Sequence, residues 1–148
     1  MRLNPPRDHA DPAWLMLRQA LWQYPANEHL RDMADTLARG HRVVLAVDEN
    51  GSAVGFIEGS IRNDYVNGTS SSPVAFVEGL YVDPAHRRRG VARALVADIA
   101  AWAIAMGCAE LASDSAIANC DAHAVHHALG FLETERVVCF CKPLMRGQ

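Results

Sequence analysis

Val77-Glu78-Gly79-Leu80-Tyr81-Val82-Asp83-Pro84-Ala85-His86-Arg87-Arg88-Arg89-Gly90-Val91-Ala92-Arg93-Ala94-Leu95-Val96 is the stretch on which the reading of this chain turns. An apolar run reaches Val82, Asp83-Pro84 breaks it, three arginines follow, and Gly90 opens a segment with helical spacing. A strand, a tight turn and a helix in that order leave the helix's first N–H groups without intrahelical partners. A glycine at position 90 lets a ligand come close to that backbone. Arg87, Arg88 and Arg89 add fixed cations, and the helix dipole favours negative charge there by about 0.3–1 kcal/mol. The residues alone therefore describe an anion site on a helix N-terminus.

Outward from this segment the chain alternates helical and strand patterns. Leu3 starts a short strand that Pro5-Pro6 ends. Asp11-Pro12 offers an N-cap acceptor with proline behind it, and Trp14, Leu17 and Leu21 follow at helical spacing until Pro25. Asn27 is expected to cap a second helix with Leu30, Met33, Ala34 and Leu37 inward and Gly40 as its stop. Arg42 to Asp48 and Ser52 to Ile61 read as two strands joined by Asn50-Gly51, a strong hairpin signal. A polar loop, Arg62 to Ser72, is longer than a hairpin requires, and such loops often bind something. After the strand ending at Val82, a helix from Gly90 to Met106 carries Val91, Leu95, Ile99, Trp102 and Met106 on one stripe, stopped by Gly107. Cys108 to Ser113 gives a further strand, Asn119 opens a last helix with Val125 and Leu129 inward, and Val137 to Cys141 reads as a terminal strand. The order β-α-α-β-β-β-α-β-α-β is mixed α/β with a hairpin-rich first half.

At 148 residues the chain is expected to form one domain over 1–148, with half its residues apolar and about a fifth charged. A net charge of −3 argues against nucleic acid and suits a cationic ligand. The N-terminus lacks the apolar core of a secretory signal, and no apolar run approaches the ~18 residues of a membrane span. A cytoplasmic protein, with neither membrane nor nucleic acid as partner, is the expectation. The four cysteines are expected to be free thiols, with Cys139 and Cys141 packing as small hydrophobes on one strand face. His123 and His127 have the i, i+4 spacing of a zinc pair, yet no H-E-x-x-H frame or nearby cysteine completes it, so no metal is expected.

Arg87-x-x-Gly90-x-Ala92 resembles the pyrophosphate-binding segment Q/R-x-x-G-x-G/A of the GCN5-related N-acetyltransferases, and the element order matches that fold over essentially the whole length. The resemblance implies a central, mostly antiparallel sheet flanked by helices, with acetyl-coenzyme A (acetyl-CoA) as donor. It assigns Leu80, Tyr81 and Val82 to the pantetheine arm and Arg87, Arg88, Arg89, Gly90, Val91, Ala92 and Arg93 to the pyrophosphate. Asn119 reads as an N-cap on its own chemistry, and the family places an asparagine there beside the coenzyme. A closer likeness joins Trp22, Arg62-x-Asp64-Tyr65-Val66-Asn67-Gly68, Ser71-Ser72-Pro73, Ala112-Ser113-Asp114 and Glu133-Thr134-Glu135-Arg136. Together they are similar to the chromosomal aminoglycoside 6′-N-acetyltransferases. Carried over, Trp22, Tyr65, Glu78, Asp114 and Glu135 hold the aminoglycoside.

The implied reaction is direct attack of an amine on a thioester. A carboxylate must take the amine's proton directly or through water, and Asp114 and Glu78 are the candidates, in an order the sequence leaves open. A backbone N–H around Leu80 to Val82 suits the oxyanion. Many relatives carry a tyrosine, four residues before the closing glycine of the last helix, to protonate the leaving thiolate. His126 stands there instead, with a water, or no dedicated acid, as the alternative. Trp22 and Tyr65 offer flat faces for a sugar ring or a cation, although Trp22 also fits a core position. Two other readings stand beside this one: an acetyltransferase for a polyamine or protein N-terminus, and a non-catalytic acyl-CoA sensor. The resemblance and the apolar last strand also imply a homodimer.

Overall fold

The computed structural model describes residues 1–146. Its elements are β1 (Arg2–Asn4), α1 (Pro12–Leu21), α2 (Ala26–Ala38), β2 (Arg42–Val47), β3 (Ala53–Arg62), β4 (Val74–Val82), α3 (Val91–Ala105), β5 (Leu111–Ala112) and α4 (Cys120–Ala128). A single 3₁₀ turn, Pro84–His86, separates β4 from α3. The strands form one sheet in the order β1-β2-β3-β4-β5, antiparallel except for the parallel β4–β5 pair. This is the mixed, mostly antiparallel sheet expected from the sequence.

The sheet is covered on both faces, which explains why β3 is buried without a break from Val54 to Ser60. Phe56 and Ile57 are neighbours in β3, point to opposite faces, and are both 0% exposed. On one face Phe56, Val43 and Leu45 pack with Trp14, Leu17 and Met33 of α1 and α2. On the other, Ile57, Val44, Val77 and Val82 pack with Val91, Leu95, Val96 and Ile99 of α3, and Leu129 and Phe131 lean on that cluster. Burial of each such side chain contributes about 1.5–3 kcal/mol, so these two layers dominate what holds the fold. Local signals agree. Asp11 accepts from Ala13 N–H at 2.9 Å at the head of α1, and Asp48 closes the β2–β3 hairpin by accepting from Asn50 and Ser52 N–H.

Several expectations fail. Val137 to Cys141 forms no strand: from Phe131 to Met145 the chain lacks regular structure, Phe140 is 92% exposed, and Cys139 and Cys141 are exposed rather than packed. An apolar β-branched run makes a strand only where an edge accepts it, and β5 offers just two paired residues. Cys108 to Ser113 is correspondingly shortened to Leu111–Ala112, with Cys108 buried against Ala75 and Ala103. α2 starts at Ala26 with Pro25 before it and no side-chain cap, so Asn27 lies inside the helix. His29 is fully buried there, while Leu30 turns outward. On α4 the half-buried residues are Ala122, His123 and His126, and Val125 is 49% exposed. Met106 lies beyond the last turn of α3 and is exposed.

Candidate active site

The parallel pairing of β4 with β5 covers only Ala75↔Leu111 and Phe76↔Ala112. Beyond it β4 runs on to Val82, paired with β3 on its other side at Leu80↔Ile57, Tyr81↔Phe56 and Val82↔Gly55. Leu80, Tyr81 and Val82 thus lie on a sheet edge that β5 leaves open, which can pair with the amides of an extended ligand. The turn that follows uses two left-handed residues, Arg88 at φ 63° and Gly90 at φ 82°. The first intrahelical bond shown at the α3 N-terminus is Ala94 N–H to Gly90 C=O at 3.0 Å, so the N–H groups of Val91, Ala92 and Arg93 precede it. Nothing lies within 4 Å of where a Cβ on Gly90 would stand, which leaves that backbone open to a ligand. Arg88 and Arg89 are exposed here, and Arg87 donates through Nε to Val82 C=O at 2.9 Å, tying the turn to the strand end. Arg93 reaches the far side, donating to Ala128 C=O at the end of α4. The residues present therefore fit an acyl-coenzyme A: an open edge for its arm and unpaired N–H groups with arginines for its phosphates.

Glu78 sits at a β-bulge. Glu58 pairs with Gly79 and Gly59 with Val77, so Glu78 is the extra residue on β4, and its carboxylate turns to the face that carries Ser60 and Arg62. Ser60 Oγ donates to Oε1 at 2.5 Å, and Arg62 Nη2 lies 2.9 Å from Oε1 and 3.1 Å from Oε2. The guanidinium is steadied in turn by the face of Phe76, 3.6 Å from the ring centroid. Counting on from the register Phe76↔Ala112, Glu78 and Asp114 are each two residues along, on either side of the point where the strands part.

Beside Glu78 a hollow of about 610 Å³ opens between α1, α2 and the sheet. Trp22, Asp32, Asp35, Glu78, Arg39 and Arg62 contribute to its walls, so it brings Trp22 and Glu78 together among groups of both charges. Trp22 is the residue after α1, with extended backbone (φ −124°, ψ 123°) and a half-buried indole. Its ring lies against Gly79, where a Cβ would stand 2.7 Å from Cζ2. Tyr65, Asp114 and Glu135 lie outside this hollow and are exposed, Tyr65 at 74%. Val66 anchors the Tyr65 loop by packing on Val74, Phe76 and Ala112, and Gly68 touches Thr134 and Glu135 of the C-terminal arm. Arg136 is engaged by Glu133 at 2.5 Å and holds that carboxyl below its usual range.

His126 is fixed by two contacts. Ala122 C=O can only accept, so Nδ1 carries a proton at 2.7 Å, and Nε2 meets Ser113 Oγ at 2.8 Å, as acceptor in the neutral ring and as donor in the protonated one. Asn119 caps α4, accepting from Ala122 N–H at 3.1 Å. His123 Nε2 donates to Ala116 C=O.

Sequence reasoning passed over Ser60, Arg62, Ser113 and Gly79 as site residues. A signal existed for the first two: Glu58, Ser60 and Arg62 alternate with apolar or glycine positions, so three polar groups share one face of β3. Trp14, Arg18 and Trp22 recur every four residues and mark the matching stripe of α1. Ser113 and Gly79 carry no local signal, because their roles come from α4 and from the indole.

Residues 12–131 match the family model described as "Acetyltransferase (GNAT) family". An aminoglycoside N(6′)-acetyltransferase type 1 of Stenotrophomonas maltophilia is 49% identical over 145 residues, covering 97% of this chain and 93% of that protein. Aminoglycoside 6′-N-acetyltransferase AAC(6′)-Ig of Acinetobacter haemolyticus has a solved structure that superposes with a TM-score of 0.92 at 44% identity, over 98% of this chain and 100% of that one. AAC(6′)-Iy, solved in complex with the bisubstrate analogue CoA-S-monomethyl-acetylneamine, gives 0.89 at 42% identity over 97% and 98% of the two chains. A central sheet open along β4, an arginine-rich turn into α3 and these likenesses over nearly the full length have one meaning: the chain belongs to the GNAT acetyltransferase family.

Proposed function

We propose that this protein transfers the acetyl group of acetyl-CoA to the 6′-amine of aminoglycosides, and that this acylation confers resistance on its host. The observation that carries the reading is the placement of Glu78 and Asp114 across the parting of β4 and β5, beside a hollow that includes Trp22 and four carboxylates, two of them in hydrogen-bonded pairs with arginines. Relatives at 43–49% identity bear the same activity in their names, which supports the acceptor class.

In this reading the residues divide the work by chemistry. Arg87 to Arg93 and the α3 N-terminus receive the pyrophosphate, Leu80 to Val82 receive the pantetheine arm, and Asn119 borders it. Glu78 is held by Ser60 and Arg62 with Oε2 accepting only from Arg62 Nη2, which suits it to orient an ammonium rather than to take a proton. Asp114 has no hydrogen-bond partner among the described residues and is exposed, so it is the proton acceptor, directly or through water. The amine nitrogen attacks the thioester carbon, a β4 N–H near Leu80 to Val82 stabilises the oxyanion, and the C–S bond breaks. The leaving thiolate takes the Ser113 hydroxyl proton, which a protonated His126 replaces through Nε2. Trp22, Tyr65 and Glu135 complete the acceptor cleft. The finer assembly is a homodimer, supported by the apolar exposure of the C-terminal arm, where Val138 is 73% and Leu144 84% exposed. Among the described residues no helix is long and apolar enough to cross a membrane, and a cytoplasmic location follows from the donor.

The test is acetyl transfer from acetyl-CoA to three acceptors: an aminoglycoside with a 6′-amine, its 6′-hydroxyl counterpart, and spermidine. Turnover of the first alone is expected. Turnover of spermidine alone would transfer the assignment to polyamines, and acetyl-CoA binding without any turnover would make the protein a sensor.

A further inference from the structure

Beneath the hollow lies a buried polar network that the chemistry above does not use. Glu58 and Arg18 are 3% and 4% exposed. Arg18 Nη1 donates to Glu58 Oε1 at 2.6 Å, and Trp14 Nε1 donates to Oε2 at 2.9 Å. Arg18 Nε, a donor only, points at His29 Nδ1 at 3.3 Å, and His29 Nε2 faces Trp22 C=O, an acceptor only, at 2.9 Å. These partners fix His29 as neutral with its proton on Nε2. The guanidinium also lies over the Trp22 ring, 4.8 Å from its centroid.

A buried ion pair is a poor device for stability, since a well-packed apolar set of the same volume usually does as well or better. What this one does have is geometry, and the geometry converges on Trp22. Arg18 lies against one part of the indole, Gly79 against another, and the Phe56 ring stands edge-on at 6.0 Å. The backbone is held as well, because Trp22 N–H donates to Arg18 C=O at 2.8 Å while His29 takes its carbonyl. This matters because Trp22 ends the α1 ladder with extended backbone, so no helical bond fixes its carbonyl.

We infer that Arg18 and His29 are positioning residues that lock the Trp22 indole as a rigid platform, and that this platform selects ring-shaped over linear polycations. The inference rests on the reading of Trp22 as part of the acceptor cleft. Carboxylates such as Glu78, Asp32 and Asp35 attract any polycation, cyclic or linear, by the same long-range term. Discrimination must come from a contact only one class can make, and a fixed flat face receives a sugar ring but gives little to a flexible chain. Mobility of the indole would charge its ordering entropy to each binding event, so the lock acts on acceptor affinity and leaves the donor alone.

The experiment compares His29→Leu, His29→Gln, Gly79→Ala and Trp22→Ala in the full chain. Its readouts are KM and kcat for a 6′-amino aminoglycoside, the inhibition constant of spermidine, and KM for acetyl-CoA. His29→Leu is expected to raise the aminoglycoside KM about tenfold, the factor that 1.4 kcal/mol represents, with spermidine inhibition, acetyl-CoA KM and kcat within about twofold. His29→Gln, whose amide can still donate to the Trp22 carbonyl, should recover most of the loss. Gly79→Ala pushes the same indole at its Cζ2 edge without touching the ion pair, and decides the matter should His29→Leu not fold. An unchanged ratio of aminoglycoside to spermidine affinity in the folded variants, with Trp22→Ala still weakening the aminoglycoside, overturns the lock. No effect of Trp22→Ala on the aminoglycoside removes the acceptor reading beneath it instead.

Discussion

Glu78 and Asp114 are both carboxylates at the same opening, but Glu78 has a guanidinium and a hydroxyl on its oxygens while Asp114 is free among the described residues. That difference separates their substitutions. Asp114→Asn should lower kcat by about 10²–10⁴-fold, the usual worth of a general base, with KM little changed. Glu78→Gln should act mainly on acceptor KM; steady-state kinetics with a 6′-amino acceptor distinguishes the two. Gly90 at φ 82° is a second residue whose backbone matters more than its side chain. Gly90→Ala meets no steric obstacle, so its cost is the left-handed strain of about 1–2 kcal/mol, together with a raised KM for acetyl-CoA. Denaturant unfolding and donor titration check each part. At this scale the sequence revealed residues whose chemistry is their own, such as Glu78, Trp22 and Gly90. It hid those that act through a neighbour: Ser113 matters because His126 faces it, and Gly79 because an indole rests there.

The elements differ in how firmly each is held. The loop between β3 and β4 carries Tyr65, and its far end is tethered by Glu110, which accepts from the Ser70 N–H at 3.0 Å and from the Ser71 hydroxyl. Those bonds, the Ser71 hydroxyl first, hold the Glu110 carboxyl below its ordinary value of 4.5. A depressed carboxylate contributes stability that is fully present above its unfolded value and disappears as pH falls through the folded one. Loop protection should therefore persist at neutral pH and be lost only as pH falls below the ordinary carboxylate value of 4.5. Glu110→Gln should loosen the loop at all pH values, and hydrogen exchange at residues 69–72 reads both effects. The strands before Val82 were legible because β-branched runs and Asn50-Gly51 are local signals. The terminal strand was not, because a strand needs an edge, and edges belong to the tertiary structure. His29 in place of Leu30 on the inner face of α2 has the same origin: its partners, Arg18 and Trp22 C=O, come from another helix.

For the whole molecule, the apolar arm from Leu132 to Met145 is the largest feature without a local account. Phe140 at 92% exposure and its neighbours fit a surface that a second copy covers. Phe140→Asp, or removal of the chain after Arg136, should convert a dimeric mass in light scattering to a monomeric one; a parent protein already monomeric at high concentration would oppose the homodimer. The bulge in β4 has a consequence at this scale too. Because the strand that presents Leu80 to Val82 also presents Glu78, donor and acceptor are measured off the same length of backbone, and Glu78 is the odd residue in the count. Deleting one residue between Val77 and Leu80 would barely change composition. It would remove the bulge with Val77↔Gly59 and Leu80↔Ile57 left in register, so that one residue instead of two faces α1 and α2 there. Substitutions can tune either substrate separately, whereas a single deletion here would keep either the Glu78 carboxylate or the Gly79 seat of the Trp22 indole, not both.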